Sequence, residues 1–499
     1  MRNKLPSPFF NWISLIGLTI ALISLFMILF LFIISFFFNR GGSYLGVVMY
    51  MILPVFLTMG AILIPVGMYL TFRRNKKKEP GQSDTWPKVD LNIVRHRNGF
   101  MVFVIGTAVF LMISAVGSYE AFHFTESVEF CGKTCHNIMI PEYTAYQNSP
   151  HAKVACVECH VGAGAGWYVK SKMSGLYQVY TSLMNIYPRP IETPIKNLRP
   201  ARETCEQCHW PQKFYARQLR IERHYLADSA NTEWDINLVM KIGANLSALG
   251  LQEGIHWHIN PDTKIEYSTS DEKREVIPWV KYTNIKTGKS VVFKSTEGQG
   301  KGSTSEVRTM ECIDCHNRPS HNYQPPTFFI NNAITAGFIP KSLPNIKATA
   351  MDILGKKFST TDSSLNFIKS EVTKYYQTNY PQIYAGNGKI VQQAISGIQN
   401  AFSQNIFPEM KVRWDVYPNN IGHLQFNGCF RCHDGKHVSP EGRVISKDCN
   451  LCHTITAQGT LKDMQTGLSN AELEFKHPAD VGDSWKEMLC TECHTGLNP

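Results

Sequence analysis

CGKTCH at Cys131–His136 and, a short stretch later, CVECH at Cys156–His160 decide how this chain is read. Two cysteines a turn apart, followed at once by histidine, is the pattern that attaches a c-type haem. The thiols reach the two vinyl groups of one porphyrin, and the next residue then lies under the iron. The pattern returns at Cys205–His209, Cys312–His316, Cys429–His433, Cys449–His453 and Cys490–His494. The second cysteines are Cys135, Cys159, Cys208, Cys315, Cys432, Cys452 and Cys493, so seven motifs use all 14 cysteines. A disulfide framework or paired zinc knuckles would not place a histidine after every pair. Seven covalent haem c groups are therefore expected, with His136, His160, His209, His316, His433, His453 and His494 as proximal ligands. The first motif departs from the rest, with three residues between its cysteines.

Upstream, Trp12–Phe38 is one apolar run without a charge, longer than the core of a cleaved leader and long enough to span a bilayer. Tyr44–Phe72, interrupted by Pro54 and Pro65, and Phe100–Val116 are further candidates. Spans of about 12–38, 44–72 and 100–118 are expected, inside a membrane domain over 1–118. The loop after the second run carries Arg73, Arg74, Lys76, Lys77, Lys78, Lys88, Arg95 and Arg97, while the loop after the first has only Arg40. Positive-inside then predicts a cytoplasmic N-terminus and a periplasmic haem region in a bacterial inner membrane.

Net charge is +10, of which 11 Lys/Arg less 3 Asp/Glu, or +8, precede Tyr119; the remainder holds 39 against 37, or +2. Haem propionates turn that remainder acidic, which implies no nucleic-acid partner and suits a soluble cytochrome with a basic patch. The chain leaves the third run with Glu120, Glu126 and Glu129. A segment around Trp167, Tyr168, Leu176, Tyr177, Tyr180 and Leu183 repeats at helical spacing, either a core helix or one lying in the membrane interface. Strand patterns and turn signals predict a β insertion over about 230–305, including HWHIN at His256–Asn260. The predicted class is a mainly α multihaem cytochrome: three N-terminal transmembrane helices, a four-haem region over 119–325 with the β insertion, a helical connector over 326–410, and a three-haem region over 411–499.

Of 17 histidines, 7 end motifs and 10 do not. His96 is cytoplasmic in this topology and His123 lies near the membrane exit. His151, His224, His256, His258, His321, His423, His437 and His477 are candidate second ligands, the economical partners for bis-histidine iron. His321 and His437 follow their own motif histidines too closely to cross the ring, so each is expected to serve a neighbouring haem. On a strand, His256 and His258 would alternate, with one facing iron. Met139, three residues past His136, is a possible alternative ligand of the first haem.

FCGKTCHNIM, EYTAYQNSPH (Glu142–His151), ACVECH, CEQCHW and CIDCHNRPSH after a transmembrane helix resemble the NapC/NirT family of membrane-anchored multihaem quinol dehydrogenases. The three later motifs and two extra helices depart from its four-haem core and resemble a heptahaem inner-membrane variant. The resemblance implies quinol bound at the membrane surface beside the first haem, with the other haems relaying electrons from menaquinol to periplasmic multihaem or other soluble cytochromes. It implies a site lysine, matched by Lys172, and an acid for which this chain offers Gln178, Tyr177, or else Glu120 or Glu129. Competing readings are a terminal reductase of nitrite or hydroxylamine type, which needs a high-spin haem in a pocket, and a passive electron-transfer subunit.

Overall fold

The computed structural model describes residues 11–38, 52–75, 90–134, 136–162, 164–194, 199–211, 214, 217–243, 254–297, 307–467 and 473–497. The chain divides into two compact units, Met1–Thr134 with Ala155–Tyr180, and Cys135–Val154 with Thr181–Pro499.

The first unit holds three helices long and apolar enough to cross a membrane: α1 (Trp12–Phe38), α2 (Leu53–Asn75) and α3 (Val94–Glu126). Sequence 44–51 of the expected second span lies outside the described residues. Large apolar side chains such as Ile16, Leu29, Ile62 and Ile113 are exposed, which suits lipid contact. α1 and α2 pack through small residues. A Cβ on Gly60 would stand 2.7 Å from the Ala21 nitrogen, and one on Gly17 2.7 Å from the Gly60 carbonyl oxygen. Ser14 Oγ donates to the Ile64 carbonyl across the same seam at 2.9 Å. Close backbone approach of this kind is how helices associate where lipid is as apolar as leucine. Gly60→Leu should therefore force the pair apart and cost about 1–3 kcal/mol. Thermal unfolding in detergent checks this; an unchanged midpoint would refute the seam.

α3 is 33 residues long, while about 20 residues cross a hydrocarbon core, so the helix runs on past the apolar Phe100–Val116 segment. The extra residue of the first motif is absorbed in a π-helical turn at Phe130–Thr134, the local form that accommodates a one-residue insertion. α4 (Ala165–Leu183) carries Val169, Met173, Tyr177, Val179, Tyr180 and Leu183 exposed.

The second unit is built on two antiparallel sheets and a helical core. One sheet runs β1 (Arg217–Tyr225), β2 (Glu233–Lys241), β8 (His453–Thr460), β9 (Asp463–Thr466). The other runs β6 (Arg308–Thr309), β3 (Thr263–Ser268), β4 (Trp279–Asn284), β5 (Ser290–Ser295), β7 (His437–Val438). The β region thus begins before 230, and strands from beyond 411 complete both sheets. Register pairs Met240 with His453, and Ser295 with His437. The sheets therefore pin the later motifs against the earlier ones. Helices α5 (Pro326–Thr335), α6 (Ile346–Leu354), α7 (Thr361–Asn379) and α8 (Gly388–Asn405) bury Ile330, Ile346, Ile368, Val372, Ile398 and Phe402 together, the helical segment expected from their amphipathic spacing.

Candidate functional site

Four of the motifs close a tight local turn. The amide of His209 donates to the Cys205 carbonyl at 2.8 Å, His316 to Cys312 at 2.8 Å, His433 to Cys429 at 3.0 Å and His494 to Cys490 at 2.8 Å. That turn brings the two cysteines and the histidine close together along the backbone. No two of the described cysteines are joined by a disulfide.

Whether the chain fits haem is tested by its other histidines. An iron bonded to two imidazoles at about 2 Å each separates the ring centres by about 6 Å. His151 faces His209 with centres 6.0 Å apart, His256 faces His316 at 6.2 Å and His258 faces His433 at 5.8 Å. His423 faces His453 at 6.2 Å and His477 faces His494 at 6.0 Å. The Nδ1 atoms lie against backbone oxygens in several of these rings: His256 on Ile242 at 2.8 Å, His258 on Ile255 at 2.8 Å, His151 on Pro319 at 3.1 Å, His433 on Ser446 at 2.9 Å. A metal-bound histidine donates its other N–H in just this way, which leaves Nε2 for the iron. His321 shares the feature, with Nδ1 3.0 Å from the Glu142 carbonyl. Four of the five pairs line one cavity of about 2230 Å³. Burial lowers the basicity of His256, His258, His316 and His423, as suits neutral ligands. At these five motifs the residues present fit bis-histidine haem.

One expectation changes. His256 and His258 do not alternate on a strand, because Ile255–Ile259 is a 3₁₀ helix. At 120° per residue, positions two apart point to different sides without opposing one another. Both therefore face motif histidines, one in the fourth motif and one in the fifth. His437 has no motif histidine facing its ring among the described residues. Its Nδ1 lies 2.9 Å from the Asp434 carboxylate and its Nε2 2.8 Å from the Ile277 carbonyl, and the ring is fully buried. Burial works against a charged ring, but the Asp434 carboxylate and the Ile277 carbonyl raise its basicity on balance. His224 lies on β1 and feels His494, whose ring is faced by His477.

Neighbouring motifs also touch. The thiols of Cys205 and Cys312 are within hydrogen-bonding reach. Arg431, inside the fifth motif, donates to the carbonyl of Asp314, inside the fourth, at 2.8 Å. His423 Nδ1 is 3.8 Å from Cys490 Sγ, which links the sixth motif's partner to the seventh motif. The later motifs are thus placed in series.

In the first unit, Cys131 and Cys156 approach within hydrogen-bonding reach of one another, which brings the first two motifs together. Beside them lies a charged cluster that joins Glu126 to Lys172. Glu126 ends α3 with its Oε1 buried and without a hydrogen-bond partner. Lys172 and Glu158 are the charged groups acting on it. Lys172 Nζ stands 5.3 Å from the Tyr168 ring centre, on the same face of α4. Burial, then the Glu126 carboxylate, raise the Tyr168 phenol. Glu120 and Glu129 are exposed instead, and Gln178 Nε2 donates to Ser174 Oγ of its own helix at 3.5 Å. Met139 lies half-buried in the second unit, on the helix His136–Gln147. Only the spacing of Glu126, six residues past Glu120 and five before Cys131, could have marked it in advance.

Comparison with known proteins agrees with this construction. The N-terminal region of the NapC/NirT cytochrome c family matches residues 94–193. The cytochrome c-type protein ImcH of Geobacter sulfurreducens is 41% identical over 487 residues, covering 97% of this chain and 95% of its own. No solved structure matches. With covalent haem c sites, membrane-spanning helices and a relative similar along nearly its whole length, the chain belongs to the NapC/NirT-type membrane-anchored multihaem c-type cytochromes, proteins of electron transfer.

Proposed function

We propose that this cytochrome is a quinol dehydrogenase of the bacterial inner membrane, passing electrons from menaquinol through seven haems to periplasmic cytochromes in anaerobic or extracellular respiration. One observation carries the reading: the unit that holds the spanning helices also holds Cys131, Cys156, His160 and Lys172. The first haem-binding residues and a cation thus belong to the compact unit that an apolar substrate would reach through the bilayer.

In this reading the N-terminus is cytoplasmic and the haem region periplasmic, as the basic loop after α2 requires. His151, His256, His258, His423 and His477 are the second ligands of five irons, held by the motif histidines they face. His136 and His160 are the proximal ligands of the first two haems. Bound haem supplies reversible one-electron chemistry. The chain's own residues do the rest. Lys172 donates a hydrogen bond to a quinol oxygen as it becomes a carbonyl, and the apolar face of α4 admits the ring. The sheets and turns hold successive motifs close enough for electron transfer. No motif replaces its histidine, and the paired rings occupy positions a terminal reductase would keep open.

Purified protein in detergent mixed with a reduced menaquinol analogue should show rapid growth of the reduced haem bands, and pyridine haemochrome should count seven haems per chain. Haems that stay oxidised would overturn the reading in favour of a passive subunit.

A further inference from the structure

We propose that Glu126 is the group that takes the proton from quinol, a further catalytic residue that rests on the quinol-dehydrogenase reading. Three observations point to it. Its Oε1 is buried without a hydrogen-bond partner, so the atom is aimed at a donor that the protein does not supply. A quinol hydroxyl is such a donor. Lys172 acts on the same carboxylate, which puts an acceptor for the hydroxyl proton and a donor for the quinone oxygen within one cluster. Glu126 also ends α3, where the chain leaves the apolar segment, and Cys131 of the first motif follows after one turn. The titratable groups facing it are Glu158 before α4, Tyr168 and Lys172 on α4, and Cys131. None of the other candidate acids shares this placement, since Glu120 and Glu129 face solvent or lipid.

Quinol gives up two electrons and two protons. Ferric c-type haem is the oxidant, taking one electron in each of two steps. In the first step the quinol O–H breaks and its proton passes to the Glu126 carboxylate. Glu126 then releases that proton to water on the outer side, and the ionised carboxylate receives the second and releases it in turn. The products are quinone, two reduced haems and two released protons, so charge and atoms balance.

The test compares the wild type with Glu126→Gln and Glu126→Asp in detergent, using a reduced menaquinol analogue. The glutamine variant keeps size and loses the proton acceptor. Its haem reduction rate should fall about 10²–10⁴-fold, the usual worth of a positioned general base. Dithionite should still reduce every haem, and a non-oxidisable quinol analogue should still bind, read by fluorescence quenching. Infrared difference spectra on quinol addition should show a protonated carboxyl band in the wild type that Glu126→Gln lacks. Glu126→Asp should retain part of the rate with a displaced acid limb in its pH profile. If Glu126→Gln assembles poorly, the aspartate variant alone decides, and a wild-type pH profile there overturns the assignment. A wild-type rate and carboxyl band in Glu126→Gln overturn it as well, while the dehydrogenase reading stands. A wild type that quinol cannot reduce overturns both.

Discussion

His258→Met should turn one haem in the middle of the series into an electron trap. His258 and the motif histidine His433 lie 5.8 Å apart, centre to centre. Methionine reaches iron as a soft thioether and raises the potential of a haem that keeps histidine on its other side. Axial ligands move haem potentials across about 0.8 V, so a rise on the order of 0.1 V is a modest expectation. Each 59 mV shifts a one-electron equilibrium tenfold, so that haem would hold its electron roughly fiftyfold more strongly. A spectroelectrochemical titration should show a single component displaced upward. Electron delivery to a soluble cytochrome should slow, while quinol-driven reduction of the first haems should not. An unchanged titration would refute the pairing.

The same experiment on His437→Gln should leave every haem potential and spin state unaltered. His437 spends both nitrogens on Asp434 and Ile277, and the side chain is about 1% exposed. Breaking a buried charged pair of this kind costs about 3 kcal/mol. A lower unfolding midpoint with intact haem spectra is the expected outcome.

These two histidines show how far the sequence could be read. The haem cysteines and proximal histidines are legible because covalent chemistry fixes their spacing. The apolar spans are legible because a bilayer sets a minimum length. Second ligands are harder, since any histidine satisfies the count. In sequence His437 is one of eight spare histidines, whereas its Nε2 lies on the Ile277 carbonyl, 160 positions away. His256 and His258 counted as alternates because HWHIN suits a strand, whereas Gly254 at φ 87° opens a 3₁₀ turn that sends both toward iron. The sheet pairings between Met240 and His453 and between Ser295 and His437 are long-range, so no local pattern announces that strands beyond 411 complete the β insertion. Glu126 reads in sequence like Glu120 and Glu129 for the same reason: burial of one oxygen depends on parts of the chain distant in sequence.

Lys172→Ala should lower quinol-driven haem reduction by about ten- to a hundredfold. Lys172 lies four residues after Tyr168, one helical turn on the same face of α4, with its ammonium 5.3 Å from that ring's centre. A hydrogen bond from a charged donor contributes about 1.5–3 kcal/mol, and each 1.4 kcal/mol is tenfold. Because the bond strengthens as the quinol oxygen becomes a carbonyl, the larger part of the loss should fall on the maximal rate rather than on the quinol concentration needed for half of it. Gln178 follows Lys172 by six residues, about 240° around the helix, and its amide turns back to Ser174. Gln178→Ala should therefore leave the rate as in the wild type. Stopped-flow reduction by a menaquinol analogue, with dithionite as the control for haem integrity, separates the two positions. A slow Gln178→Ala beside an unaffected Lys172→Ala would move the quinol to the other face of α4, away from Glu126.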